Sequence, residues 1–173
     1  FTSLPPVYAG HKLGLKTFIH DSNARPGRTN VLTSRFCTRV FLGLDAAKSF
    51  FPQRETVTTG TPVRPEIINL PTRDEAAALF GLDPSRPTIV VTGGSQGARR
   101  LNELSAQAAA LLPKETQVLH IAGALDFERV SEITKGREGY KVLGFCDQMP
   151  SAYAMADVVI ARSGASSLTE ISI

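Results

Sequence analysis

With 173 residues, 42% of them hydrophobic, the chain is long enough to bury a core and to hold one large or two small domains. Nineteen Lys and Arg against sixteen Asp and Glu leave a formal charge of +3, which suits an anionic ligand or an acidic membrane surface and is no polybasic nucleic-acid footprint. Two distant cysteines, Cys37 and Cys146, exclude a disulfide scaffold and favour a reducing cytoplasm, and the scattered His11, His20 and His120 show no metal-ligand spacing. No run reaches the roughly 18–20 apolar residues of a membrane span, and no signal peptide is expected. The sequence starts at Phe1 and stops at Ile173 inside a helical pattern, so a piece cut at both ends is expected.

Helical and strand signals alternate along the chain. Residues 5–14 read as a helix tail stopped by Gly14, 15–19 as a strand, and 26–37 as a helix opened by Pro-Gly. Arg25, Arg28, Arg35 and Arg39 concentrate positive charge here, which a solvated helix face explains equally well. Residues 39–42 read as a strand, 45–50 as a short helix and 55–59 as a strand. The proline-rich stretch from Gly60 to Pro71 is the best domain boundary. Beyond it come a helix at 73–80 ended by Gly81, a strand at 88–92 and a helix at 98–112. In that helix Leu101, Leu104, Ala108, Leu111 and Leu112 recur at helical spacing. A strand at 117–121, a helix at 127–134, a strand at 141–143, a helix at 148–154, a buried strand at 158–161 and a last helix from Ser166 complete the series. This alternation predicts an α/β fold with parallel sheets covered by helices. Ligands of such sheets lie beyond the carboxyl ends of the strands.

Four polar or glycine-rich motifs fall at those ends. Foremost is Thr88-Ile89-Val90-Val91-Thr92-Gly93-Gly94-Ser95-Gln96-Gly97-Ala98-Arg99, a β-branched run ending in a glycine turn that opens a helix. Such a turn brings main-chain N–H groups and the positive end of a helix dipole to one place, an anion site suited to phosphate. It is neither a P-loop nor the dinucleotide fingerprint. It does match G-x-S-x-G, the nucleophile elbow of α/β-hydrolases, but only His120 follows Ser95, and the order of acid then histidine is poorly served. A tight turn without a ligand is the plain alternative.

His20-Asp21-Ser22-Asn23-Ala24-Arg25-Pro26-Gly27 offers proton-transfer and hydrogen-bonding groups, or an Asx-type cap for the next helix. Arg64, in Gly60-Thr61-Pro62-Val63-Arg64, has a guanidinium fork suited to phosphate, or is a surface residue of a linker. In Arg162-Ser163-Gly164-Ala165-Ser166-Ser167-Leu168-Thr169-Glu170, Gly164 permits close approach and Glu170 could accept hydrogen bonds from ribose hydroxyls. Ser166 and Ser167 would also be ordinary N-cap residues, and Glu170 a carboxylate favoured by the helix dipole.

These motifs resemble, as an ordered set over nearly the whole chain, the MurG family of inverting N-acetylglucosaminyltransferases. The resemblance lies in His20-Asp21-Ser22-Asn23, Pro26-Gly27, Asn30, Gly60-Thr61-Pro62-Val63-Arg64, Gly93-Gly94-Ser95-Gln96-Gly97-Ala98-Arg99 with Asn102, Phe145 and Met149, Tyr153 with Ala156-Asp157, and Arg162-Ser163-Gly164-Ala165 with Glu170. It implies the GT-B fold, two Rossmann-like domains with parallel sheets and the sugar donor in the cleft, both truncated here. Residues 1–62 would be the C-terminal part of the N-terminal, acceptor-side domain, and 63–173 the first part of the C-terminal, UDP-sugar-binding domain. The family moves N-acetylglucosamine from UDP-N-acetylglucosamine to undecaprenyl-pyrophosphoryl-MurNAc-pentapeptide (lipid I), giving lipid II in peptidoglycan synthesis. It works as a peripheral protein on the anionic cytoplasmic face of the bacterial plasma membrane, with no bound cofactor or metal and no nucleic-acid partner.

Site residues carry over by the same resemblance. His20 and Asp21 fall at the catalytic positions, although the family usually has His-Glu there. Asn23 matches a donor-site asparagine. Arg64, Ser95, Gln96 and Gly97 match donor-binding positions near the diphosphate. Cys146 stands where a backbone group meets uracil. Ala165, Ser166, Ser167, Leu168, Thr169 and Glu170 match the segment around the nucleoside, with Glu170 at the ribose. Asn102 matches an asparagine on the helix after the phosphate turn. The family's N-terminal glycine-rich loop would precede Phe1 and its donor-sugar glutamine would follow Ile173, so the piece by itself is expected to be inactive. The alternatives are another GT-B UDP-sugar enzyme (an epimerase or a glycolipid synthase), a serine hydrolase through Ser95, and a nucleotide-sugar-binding module without catalysis.

Overall fold

A computed structural model describes residues 2–94 and 97–173. The chain forms two compact units, one up to Val63 and one from Arg64 onward. Both are α/β with wholly parallel sheets, as the alternation of elements predicts.

The first unit runs α1 (Leu4–Lys12), β1 (Phe18–Asp21), α2 (Arg28–Ser34), β2 (Arg39–Leu42), a 3₁₀ turn (Asp45–Phe50) and β3 (Thr56–Thr58). Its strands lie in the order β1-β2-β3. The central strand buries Val40 and Leu42 completely, and Ile19, Cys37, Ala47 and Phe51 close around them. The first strand lies further along the chain than expected from hydrophobicity. Polar His20 and Asp21 belong to it, because Asp21 pairs with Leu42 and its carbonyl accepts the Gly43 N–H at 2.8 Å. Helix α2 is shorter than expected. Gly27 stays extended with its N–H on the Asp21 carboxylate, and tight turns end the helix after Ser34.

The second unit runs α3 (Pro65–Ile68), α4 (Arg73–Phe80), β4 (Thr88–Thr92), α5 (Arg99–Ala108), β5 (Gln117–Ile121), α6 (Phe127–Ile133), β6 (Tyr140–Leu143), α7 (Met149–Met155), β7 (Val158–Ala161) and α8 (Ala165–Ile171). The short α3 was not expected from the sequence. A reciprocal capping box between Thr72 and Glu75 starts α4. The sheet order is β6-β5-β4-β7. Ala76, Ala77 and Phe80 of α4 pack with Ala152 and Met155 of α7 and with Val90, Leu119 and Ile121 of the sheet. Ala106 and Val130, from α5 and α6, form a separate cluster with Ala122.

Two sequence expectations are corrected in this unit. Among the described residues strand β7 is not buried: it stands at the edge of the sheet, with Val158 53% and Ile160 37% exposed. An unbroken apolar run does not distinguish a central strand from an edge strand. The helix read as 98–112 ends in a 3₁₀ turn (Ala109–Leu111), and its inner face is not the leucine stripe. Leu104 and Leu111 are 54% and 87% exposed, whereas Asn102, Ala106 and Ala109 point inward.

Candidate functional site

In the second unit, parallel pairing sends the ends of all four strands to one rim, at Thr92, Ile121, Leu143 and Ala161. A pocket of about 190 Å³ opens there. Ile121, Phe145, Cys146 and Met149 give it an apolar wall, and Arg64, Thr92, Tyr153, Ser167 and Glu170 a polar one. A second pocket of about 220 Å³, lined by Gly93, Gly94, Arg162, Ser163, Gly164 and Ser167, shares Gly94 and Ser167 with the first.

The glycines of the turn have separate tasks. A Cβ on Gly93 would run into the Ala98 backbone, and one on Gly97, whose φ is 71°, into the Ala122 carbonyl. Those two glycines serve chain packing. Gly94, at φ 83°, has open space within 4 Å of where its Cβ would stand, and it lines both pockets. Its N–H is held by Thr92 Oγ1 at 3.3 Å, and its carbonyl takes the Gly97 N–H at 2.9 Å. Ser95 and Gln96 lie outside the described residues. Helix α5 starts at Arg99 after Ala98, which has no side chain to cap it. The N–H groups of its first turn have no partner within the helix.

Glu170 is the charged centre of the first pocket. Its side chain is 15% exposed and meets Arg64 Nη2 at 3.3 Å. The Tyr153 hydroxyl donates to its Oε2 at 3.1 Å. Burial, and next the Glu170 charge, push the Tyr153 phenol up to about 12, so it stays a donor at any working pH. Burial likewise raises the Cys146 thiol, which remains protonated and a poor nucleophile at neutral pH.

Of the segment 165–170, Ser167 and Glu170 face the pocket. Ser166 and Leu168 are exposed, and the Thr169 hydroxyl bonds back to the Ala165 carbonyl at 2.8 Å. The N-cap of α8 is Gly164, so Ser166 and Ser167 sit inside the helix and capping does not account for them. Tyr153, Phe145 and Met149 were visible in the sequence only as parts of the family pattern. Their apolar bodies gave no chemical signal of a site.

In the first unit, His20, Asp21 and Asn23 come together at the end of β1. Asp21 is 2% exposed. Its Oδ1 accepts from the Asn23 backbone N–H (2.9 Å) and Asn23 Nδ2 (3.1 Å), and its Oδ2 from Asn30 Nδ2 (2.8 Å) and the Gly27 N–H (3.3 Å). Both carboxylate oxygens are thus engaged in shaping the loop. The Gly60 carbonyl lies 2.9 Å from His20 Nε2, which therefore carries the proton, and Nδ1 accepts from Ser22 Oγ at 3.3 Å.

A buried polar network backs the glycine turn. Asn102 Nδ2 donates to the Ala122 carbonyl at 2.7 Å and to Asp126 at 3.0 Å. Its Oδ1 therefore takes the Nε2–H of His120 at 3.0 Å, and His120 Nδ1 accepts from the Tyr140 hydroxyl at 2.8 Å. His120 is fully buried, and burial lowers its pKa to about 4, opposed by Asp126. His120, which follows Ser95 in this sequence, thus has no free lone pair to act as a hydrolytic base.

Residues 88–173 match the model of the glycosyltransferase family 28 C-terminal domain. A UDP-N-acetylglucosamine--N-acetylmuramyl-(pentapeptide) pyrophosphoryl-undecaprenol N-acetylglucosamine transferase of a Nocardioides species is 43% identical over 98% of this chain and 47% of its own length. The transferase of the same name from Flavobacterium psychrophilum is 40% identical over 93% of this chain and 44% of its own. The crystal structure of Acinetobacter baumannii MurG superposes with a TM-score of 0.67 at 28% identity, covering 99% of this chain and 47% of that one. The chain spans about half the length of the curated relatives it matches.

Proposed function

We propose, for a chain that belongs to the MurG-type glycosyltransferases, that its second unit holds a UDP-sugar and that the protein moves N-acetylglucosamine from UDP-N-acetylglucosamine to lipid I. One observation carries the reading. An apolar wall, a largely buried carboxylate, an arginine and an open glycine turn line one pocket at the rim of the second sheet. Those groups suit the parts of a nucleotide: uracil against Phe145 and Cys146, ribose at Glu170, diphosphate at Arg64 and Gly94.

The reaction is displacement at the anomeric carbon by an acceptor hydroxyl, with UDP leaving. Negative charge grows on the diphosphate, where Arg64 and the first-turn N–H groups of α5 stabilise it. In this reading Asp21, with donors on both oxygens, is a scaffold for the loop that presents His20 and Asn23, and not a proton carrier. No helix among the described residues is long and apolar enough to cross a membrane. In this reading the lipid acceptor is met at the anionic cytoplasmic surface, as by a peripheral protein.

The test uses a protein that carries this sequence within the full length of its relatives, with labelled UDP-N-acetylglucosamine and a short-chain lipid I. Transfer of label to the lipid is expected. Conversion of the UDP-sugar to its epimer with no transfer would make the protein an epimerase, and binding without turnover would make it a binding module.

A further inference from the structure

We propose that Tyr153 is a positioning residue for the ribose: its hydroxyl holds one oxygen of Glu170 so that the other is presented to the vicinal hydroxyls of the nucleotide. The inference rests on the reading of Glu170 as the ribose carboxylate. It assigns a task to a residue of α7 that faces the pocket with no reacting group of its own.

The terminal torsion of a glutamate is broad, so an unheld carboxylate presents its oxygens in many planes. A cis-diol donates two hydrogen bonds in a fixed geometry and is best met by a carboxylate already fixed in place. Two groups hold Glu170: Arg64 Nη2, at 3.3 and 3.5 Å from its two oxygens, and the Tyr153 hydroxyl, at 3.1 Å from Oε2. Arg64 has a side chain 47% exposed and is the group a diphosphate would draw away. Tyr153 is half-buried and lies on a helix whose Ala152 and Met155 are fully buried, so its ring has little freedom to follow. With Arg64 on the phosphates, the phenol remains the partner of Glu170.

The experiment compares UDP with 2′,3′-dideoxy-UDP by calorimetric titration of the full chain, its Glu170→Ala variant and its Tyr153→Phe variant. A hydrogen bond to a charged group lost with the hydroxyls makes UDP the tighter ligand by about tenfold or more in the parent. Glu170→Ala should bring the ratio close to one. Tyr153→Phe should lower it about three- to fivefold while leaving the affinity for dideoxy-UDP unchanged, the span expected of one positioning hydrogen bond. A Tyr153→Phe protein with the full parental ratio, beside a Glu170→Ala protein that has lost it, overturns the role of Tyr153 and leaves the ribose reading standing. Weakened binding of both ligands to Tyr153→Phe in equal measure also overturns it, because the residue then only supports the fold. Failure of the parent to bind UDP, or a ratio that survives Glu170→Ala, removes the ribose reading and the proposal with it.

Discussion

The three glycines of the turn after β4 show how one residue type serves two purposes. Gly97→Ala combines a left-handed φ of 71° with a collision at the Ala122 carbonyl, and backbone has to shift to relieve it. A loss of more than about 2 kcal/mol is expected, strain and overpacking together. Gly94→Ala carries the left-handed penalty alone, about 1–2 kcal/mol, because its Cβ would meet open space. Denaturant unfolding followed by circular dichroism should rank Gly97→Ala as the less stable. Titration should show that the better-folded Gly94→Ala has nevertheless lost most of its affinity for UDP, since its methyl group stands where the phosphate would approach. Gly94→Ala binding UDP like the parent would remove the phosphate from this turn. Arg64 separates phosphate from nucleoside in the same way. Arg64→Ala should weaken UDP by about 1.5–3 kcal/mol, the value of a charged hydrogen bond, and uridine, for which it only helps to hold Glu170, far less. Equal losses for both ligands would move Arg64 away from the diphosphate.

Among the elements, the sequence is most legible where one signal acts alone. The strands at 88–92, 117–121 and 158–161 and the helix at 73–80, with Gly81 as its stop, have the bounds expected from the sequence. Legibility fails where a long-range partner decides. The apolar pattern on α5 pointed to its leucines, but the sheet beneath carries His120, and Asn102 turns inward to meet it. The polar stretch at 20–21 looked like a loop and is the end of β1, because parallel pairing with β2 absorbs it. In the pocket, the ionic half was legible from Arg64 and Glu170. Cys146, Phe145, Met149 and Tyr153 were legible only through the family pattern, since a burying side chain looks the same in a core and in a binding wall. Asn102 gives a test at this scale. Asn102→Leu leaves the His120 Nε2–H and the Ala122 carbonyl without partners, at about 1–3 kcal/mol for each buried group. It also releases the carbonyl that Gly97 packs against. Reduced stability together with weaker UDP binding is expected. Weaker UDP binding at unchanged stability would show that the network is not what holds α5 and β5 together.

For the molecule as a whole, the same network sets how stability responds to acid. Burial holds the pKa of His120 at about 4, against 6.5 for an unperturbed histidine. Below pH 6.5 the unfolded chain takes up a proton at this position while the folded chain does not, so ionisation favours unfolding. The stability linked to His120 is complete above pH 6.5 and falls away as the pH drops toward 4. About 3 kcal/mol is at stake if the whole shift is realised, taking about 1.4 kcal/mol per pH unit. Asp157 acts in a lower window. The Arg73 hydrogen bond, and next the Thr88 N–H, hold its carboxyl below the ordinary value of 3.8, so its contribution survives until the pH falls through that lowered pKa. Two phases are therefore expected in a plot of unfolding free energy against pH, one between 6.5 and 4 and a second below 4. The chain has no tryptophan, so far-ultraviolet circular dichroism in urea is the suitable readout. His120→Gln keeps an amide donor for Asn102 and an acceptor for Tyr140 but does not titrate. It should be less stable at neutral pH and flatter between 6.5 and 4, with the second phase retained. An upper phase of undiminished slope in His120→Gln would assign that proton uptake to another group and remove the buried histidine as the acid-sensitive element of the fold.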